Sequence, residues 1–156
     1  MFVQWLARRQ MAKFLAAFEA LDADRLAQFW PDDVIVTFQP GTPMAGEWHG
    51  RAEAKAVMRA LFAENASLKP KLHWLAFDHP WSPTGTFRAF VEWSAVEVGM
   101  DGTVYDAQLV TAAEYQHWKV VRSRDYFFDV PGCAAHYATM KVPPRQGSTQ
   151  LRSTAA

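Results

Sequence analysis

A chain of 156 residues is close to the modal size of one domain, and with 50% hydrophobic and 21% charged residues it is too apolar to be disordered. Sixteen Lys and Arg balance sixteen Asp and Glu, so no net field favours nucleic acid or an anionic membrane surface. Cys133 is the single cysteine, which excludes an intramolecular disulfide framework and a cysteine zinc site and suits a reducing, cytoplasmic setting.

Arg8 and Arg9 precede an apolar run as in an export signal, but Lys13, Glu19 and Asp22 interrupt it and no small-residue cleavage site follows. Met11, Phe14, Leu15, Phe18 and Leu21 recur at three- and four-residue steps, which predicts an amphipathic helix. Asp22 or Asp24 caps a second, short helix that Pro31 stops, and residues 34–38 read as a short strand. Two Pro and three Gly make 39–50 a loop, and strong helix formers make 51–65 the best-defined helix. After Pro70 the period changes to two: 71–77, 86–98, 103–115 and 117–128 read as strands, with Asp101-Gly102 as a two-residue hairpin turn. No segment reaches the eighteen apolar residues of a membrane span, so a soluble protein without a membrane partner is expected. Helices followed by an antiparallel meander predict an α+β fold, with N-terminal helices packed on one face of a curved, mainly antiparallel sheet. Residues 1–130 form the expected domain; 131–156 are an extension rich in Pro, Gly, Ser and Thr, whose last dozen residues read as a disordered tail.

Three stretches resemble the nuclear transport factor 2-like superfamily, in its SnoaL-like and limonene epoxide hydrolase-like branch: FLAAFEALDADRLAQFWPDDVIV, WHGRAEAKAVMRALF and VVRSRDYFFD. The resemblance spans roughly residues 10–130 and implies a cone-shaped α+β (cystatin-like) fold with a pocket between sheet and helices. It also implies a terminal-strand Asp at Asp125. The epoxide hydrolases' water-activating Asp-Arg-Asp set is broken here, because its Arg falls on Glu92 and its second Asp on Ser94. Ketosteroid isomerase chemistry is opposed too: the position of its base reads Phe38-Gln39-Pro40, and its oxyanion Tyr falls near Phe14.

Strand parity offers an independent view of the pocket. With Asp125 inward, Val121, Ser123 and Phe127 share its face, and adjoining strands are expected to add Glu92, Ser94, Val96, Ala107, Leu109 and Thr111. An apolar cavity holding two carboxylates suits proton transfer, since desolvation and mutual repulsion keep one of them protonated near neutrality. Asp125 is the first catalytic candidate, against a structural pairing with Arg88, Arg122 or Arg124. Glu92 and His49 follow, against an edge salt bridge and an exposed turn residue respectively. Ser94, Val96, Ala107, Leu109, Thr111 and Phe127 are the expected substrate contacts.

His73, His79, His117 and His136 lack partners at metal spacing, and no phosphate loop or nucleophile elbow is present, so neither metal nor other cofactor is expected. Seven Trp, eleven Phe and four Tyr exceed what so small a core needs and suggest a cavity or an interface. Two functions follow. One is a cofactor-independent lyase, cyclase, isomerase or hydrolase acting on a small hydrophobic or aromatic molecule. The alternative is a non-catalytic module that binds a hydrophobic ligand or dimerises. A homodimer through the back of the sheet is expected from Trp93, Val110, Trp118 and Val120, unless the segment around Tyr137 covers that face.

Overall fold

The computed structural model describes residues 2–79 and 82–145, so all but the first residue of the tail expected for the last dozen lies outside the described residues. Helices α1 (Phe2–Glu19) and α2 (Ala23–Ala27) lead into strands β1 (Ile35–Phe38) and β2 (Gly46–His49), then helix α3 (Gly50–Ala63). The meander follows as β3 (Asn65–Phe77), β4 (Phe87–Gly99), β5 (Val104–Gln116) and β6 (Lys119–Phe127), and α4 (Val130–His136) is the last element among the described residues. Among the described residues no helix is long and apolar enough to cross a membrane.

Local chemistry explains these elements. Asp22 caps α2 by accepting the Arg25 N–H at 2.9 Å, and His49 opens α3 with its backbone N–H donated to the Glu53 carboxylate at 2.9 Å. Ala54, Val57, Met58, Leu61 and Phe62 give α3 one buried stripe. The loop expected over 39–50 contains β2, and the strand expected from residue 71 begins at Asn65 and runs through Pro70. A proline fits there because β3 is an edge strand of the sheet, whose order is β2-β1-β6-β5-β4-β3. All neighbours pair antiparallel except β1 with β6. Helices α1 and α3 fill the concave face, where Phe18 meets Phe62 at 5.4 Å and Trp93 at 5.1 Å.

Two features overturn the expected strand faces. The β4–β5 hairpin has a three-residue loop: Gly99 N–H donates to Thr103 O at 2.8 Å, Gly102 N–H donates to Gly99 O at 2.9 Å, and Gly102 sits at φ +83°. A two-residue Asp101-Gly102 turn would instead pair Met100 with Thr103. The difference is one residue, which exchanges the faces of β4. Val91, Trp93, Ala95 and Glu97 therefore point inward, and Glu92, Ser94 and Val96 outward. The second feature is a bulge at Val121, since Glu114 pairs with Arg122 but Tyr115 with Val120. Val120 turns into the core, and Val121 leaves the face assigned to it.

These shifts redraw the back of the sheet. Trp93 and Val120 are buried and Trp118 packs on Phe87 at 5.7 Å, so of the four residues expected to form the outer patch only Val110 stays there. Trp74, Phe90, Val96, Tyr126 and Phe128 are exposed instead. Tyr137 does not cover them; it is 1% exposed, inside the core.

The β5–β6 turn places both His117 (φ 50°) and Trp118 (φ 65°) in the left-handed region, and Trp118 rests on Gly85, itself at φ +68°. A Cβ at Gly85 would lie 2.5 Å from the Trp118 ring, whereas one at Gly102 would meet nothing within 4 Å. Gly102→Ala should therefore cost about 1–2 kcal/mol from backbone strain alone, and Gly85→Ala distinctly more, roughly 2–4 kcal/mol. Urea unfolding of the two variants checks that order.

Candidate functional site

The candidate site grows from one row across three strands. Val91 on β4 stands opposite Thr111 on β5, which stands opposite Asp125 on β6. Two residues along β4, Trp93 reaches back across the row, so its indole N–H donates to Thr111 Oγ1 at 3.0 Å. Thr111 in turn donates its hydroxyl to Asp125 Oδ1 at 2.5 Å. The indole takes one lone pair of the threonine oxygen, whose proton is left for the ionised carboxylate. Asp125 Oδ2 accepts no hydrogen bond from the described residues, and the side chain borders open space.

Above this row lies a chamber roofed by Met11, Phe14 and Phe18 of α1 and walled by Trp30, Met58, Val91, Trp93 and Val120. Ser123 and Asp125 supply its polar edge together with Thr111. Space for the centres of water-sized molecules is only ≈ 40 Å³, so the chamber is a slot, and a bulky ligand must push the α1 side chains aside. A second lobe shares Phe18, Met58, Trp93 and Asp125 with the first and is bounded further on by Leu109, Phe127, Glu97 and Tyr137.

Apolar surroundings decide the electrostatics. Burial pushes the Asp125 carboxyl up to about 6, with the Thr111 hydroxyl opposing the rise by stabilising the anion. Burial also lifts Glu97 to about 7, against the opposing hydrogen bond from Tyr137. Among the described residues no Arg or Lys reaches either carboxylate. Arg124, the neighbour of Asp125, points to the opposite face and approaches Glu114 at 3.6 Å, as strand alternation requires.

The residues singled out from the sequence are therefore divided. Asp125, Thr111, Leu109 and Phe127 line the two lobes, and Ala107 faces the same side beneath them. Glu92, Ser94 and Val96 lie on the outer face, where Ser94 Oγ meets His73 Nε2 at 2.7 Å and Val96 is 44% exposed. The slipped register is the reason. His49 is outside the chamber as well: its side chain is 61% exposed and meets Glu47 at 3.0 Å. Trp93, Trp30, Glu97 and Tyr137 were missed. For β4 a signal existed, since Phe87, Ala89, Val91, Trp93 and Ala95 alternate with Arg88, Glu92 and Ser94, a pattern that puts the odd residues inside.

The electrostatics give a stability test. Folded Asp125 keeps its proton to higher pH than the unfolded chain, whose value is the ordinary 3.8, so the native state binds more protons between there and about 6. Stability must fall as pH rises through that window. Asp125→Asn keeps an acceptor for Thr111 and removes the titration; it should match the wild type at low pH and exceed it by roughly 2–3 kcal/mol above neutrality. Thermal melts across pH check the crossover.

The comparisons with known proteins agree with this architecture. No curated protein matches the chain by sequence. Among solved structures, a nuclear transport factor 2-like protein of unknown function from Burkholderia pseudomallei superimposes with a TM-score of 0.65 at 18% identity, over 80% of this chain and 91% of its own. An isomerase candidate from Bacillus subtilis gives 0.68 at 16% identity over 92% and 100%. Hexachlorocyclohexane dehydrochlorinase LinA-type3 from Novosphingobium barchaimii gives 0.65 at 13% identity over 82% and 90%. At such identities the likeness is one of fold. The family model of the SnoaL-like domain matches residues 11–123, most of the chain, and the protein belongs to that family.

Proposed function

We propose that the protein is a cofactor-independent enzyme that moves a proton on a small apolar, aromatic molecule, with Asp125 as the general base and then the general acid. One observation carries this reading: a carboxylate without a cationic partner among the described residues, held through one oxygen by a neutral hydroxyl, borders an apolar slot. A structural Asp in such surroundings would be locked by an arginine. A carboxyl raised to about 6 is mostly ionised at neutral pH yet more basic than an ordinary carboxylate, which is what a proton abstractor requires.

In the proposed cycle, Oδ2 takes a proton from a carbon or hydroxyl of the bound molecule, and the same oxygen returns it at the end of rearrangement, elimination or ring closure. Thr111 holds Oδ1 and supports the negative charge when Asp125 is ionised, and Trp93 keeps that hydroxyl aimed. The dehydrochlorinase among the structural neighbours removes HCl by name, a reaction in which a proton must leave carbon.

The narrowness of the slot favours one competing reading, a module that binds a hydrophobic ligand without transforming it. The two separate in experiment. Trp30 and Trp93 border the slot, so either reading predicts quenching of tryptophan fluorescence by planar aromatic ligands. Only the enzymatic one predicts that, for a ligand shown to turn over, Asp125→Asn lowers kcat by roughly 10²–10⁴-fold while ligand affinity holds. Loss of affinity without any turnover in the wild type would support the binding module.

The exposed Trp74, Phe90 and Tyr126 support a homodimer through the outer sheet face, and the single free Cys133 supports a reducing, cytoplasmic setting. Light scattering should show a dimer at micromolar concentration, and Phe90→Glu should shift it to monomer. A wild-type monomer would contradict the proposal.

A further inference from the structure

The slot's far lobe ends in a polar cluster that the proposed proton transfer does not use. Glu97 on β4 has a side chain only 7% exposed. Its Oε2 accepts the phenol hydroxyl of Tyr137, which follows α4, and lies 3.6 Å from His136 Nε2. Asn65, at the start of β3, binds both neighbours: its amide donates to the Tyr137 oxygen at 3.0 Å, and its Oδ1 lies 3.0 Å from His136 Nε2. With His136 Nε2 and the Tyr137 hydroxyl committed, this frame fixes one side of the Glu97 carboxyl. Oε1 has no hydrogen bond from the described residues, and Glu97 borders the same lobe as Asp125.

Burial at this position strongly disfavours a free anion. Desolvation raises Glu97 to about 7, and the surrounding titratable groups add no compensating cation. Burial lowers His136, against the opposing charges of Asp101 and Glu64, and so disfavours a cation there; Cys133 is pushed up to about 12 and stays a thiol. With Oε2 occupied as an acceptor, the proton of a neutral Glu97 belongs on Oε1, the oxygen left for a ligand in the lobe that Glu97 borders.

We propose that Glu97, framed by Tyr137, Asn65 and His136, is a second ligand-binding pole that donates a hydrogen bond to an oxygen of a planar apolar substrate whose reacting end lies at Asp125. This rests on the reading of the slot as a small-molecule site and extends it to a substrate class. Glu97 and Asp125 border the same small lobe, so one planar ligand touches both. The substrate class is a planar conjugated compound with a carbonyl or hydroxyl oxygen. Protonated Glu97 would stabilise negative charge that conjugation carries to that oxygen as Asp125 removes a proton, and no other reactant is required.

The test uses 2-acetylnaphthalene, isotope-labelled at its carbonyl carbon, with naphthalene as the control. The proposal expects the ketone to bind wild-type protein several-fold more tightly than naphthalene at slightly acid pH. Its carbonyl resonance should move downfield as for an acid-bonded ketone. Glu97→Gln should shrink both effects, and Asp125→Asn should leave them intact. Tyr137→Phe removes the hydroxyl that favours the Glu97 anion, so the downfield signal should persist to higher pH than in the wild type; this variant serves if Glu97→Gln does not fold. A carbonyl shift unchanged in Glu97→Gln, insensitive to Tyr137→Phe, or lost in Asp125→Asn would overturn the Glu97 pole and leave the slot intact as a binding site. Failure of both naphthalene and the ketone to bind wild-type protein at millimolar concentration would overturn the small-molecule reading, and the Glu97 pole with it.

Discussion

The β4–β5 hairpin holds the key constraint. Pairing Gly99 with Thr103 across a three-residue loop, with Gly102 in the left-handed region, sets the parity of thirteen residues on β4. From that parity follow the inward Trp93, whose indole aims Thr111 at Asp125, and the inward Glu97 at the far end of the same face. A one-residue slip would replace Trp93 and Glu97 by Glu92, Ser94 and Val96 on the concave side, leaving Thr111 without its indole partner. The chemistry of the slot is thus a consequence of turn geometry more than of any local motif.

The fold sets two carboxylates where water is scarce and cations are absent among the described residues. Each is held by a neutral donor: Thr111 for Asp125 and Tyr137 for Glu97. Neutral donors stabilise an anion less than an arginine would, so both carboxyls stay close to their titration points near neutrality. The apolar roof of α1 and the short α4 do different work around this pair. α1 closes the slot with side chains alone, whereas α4 carries Cys133 and His136 toward Glu97 and leads directly into Tyr137.

Much of the fold was legible because long elements announce themselves by period. The helix at α3 and the meander after it follow from strong helix formers and alternation, and the SnoaL-like resemblance agreed with them. The candidate site was legible on β5 and β6, where Thr111, Leu109, Asp125 and Phe127 share a face as alternation from Asp125 dictates. It failed on β4 because loop length was read from the Asp-Gly pair alone, and a Gly in the left-handed region serves a two- or a three-residue loop equally well. The apolar alternation from Phe87 to Ala95 carried the information needed to choose. The bulge at Val121 had no such signal, nor did the Tyr137–Glu97 hydrogen bond, which joins residues forty positions apart.

The central claim is that Asp125 is a desolvated, cation-free carboxyl facing an apolar slot. Site-resolved nuclear magnetic resonance titration of its side-chain carboxyl carbon tests this most directly, with the Asp125→Asn variant identifying the signal. The account predicts a midpoint near about 6, well above the ordinary aspartate value of 3.8. A midpoint at or below that ordinary value would show a carboxylate stabilised as an anion by solvent or a cation, and would contradict the account.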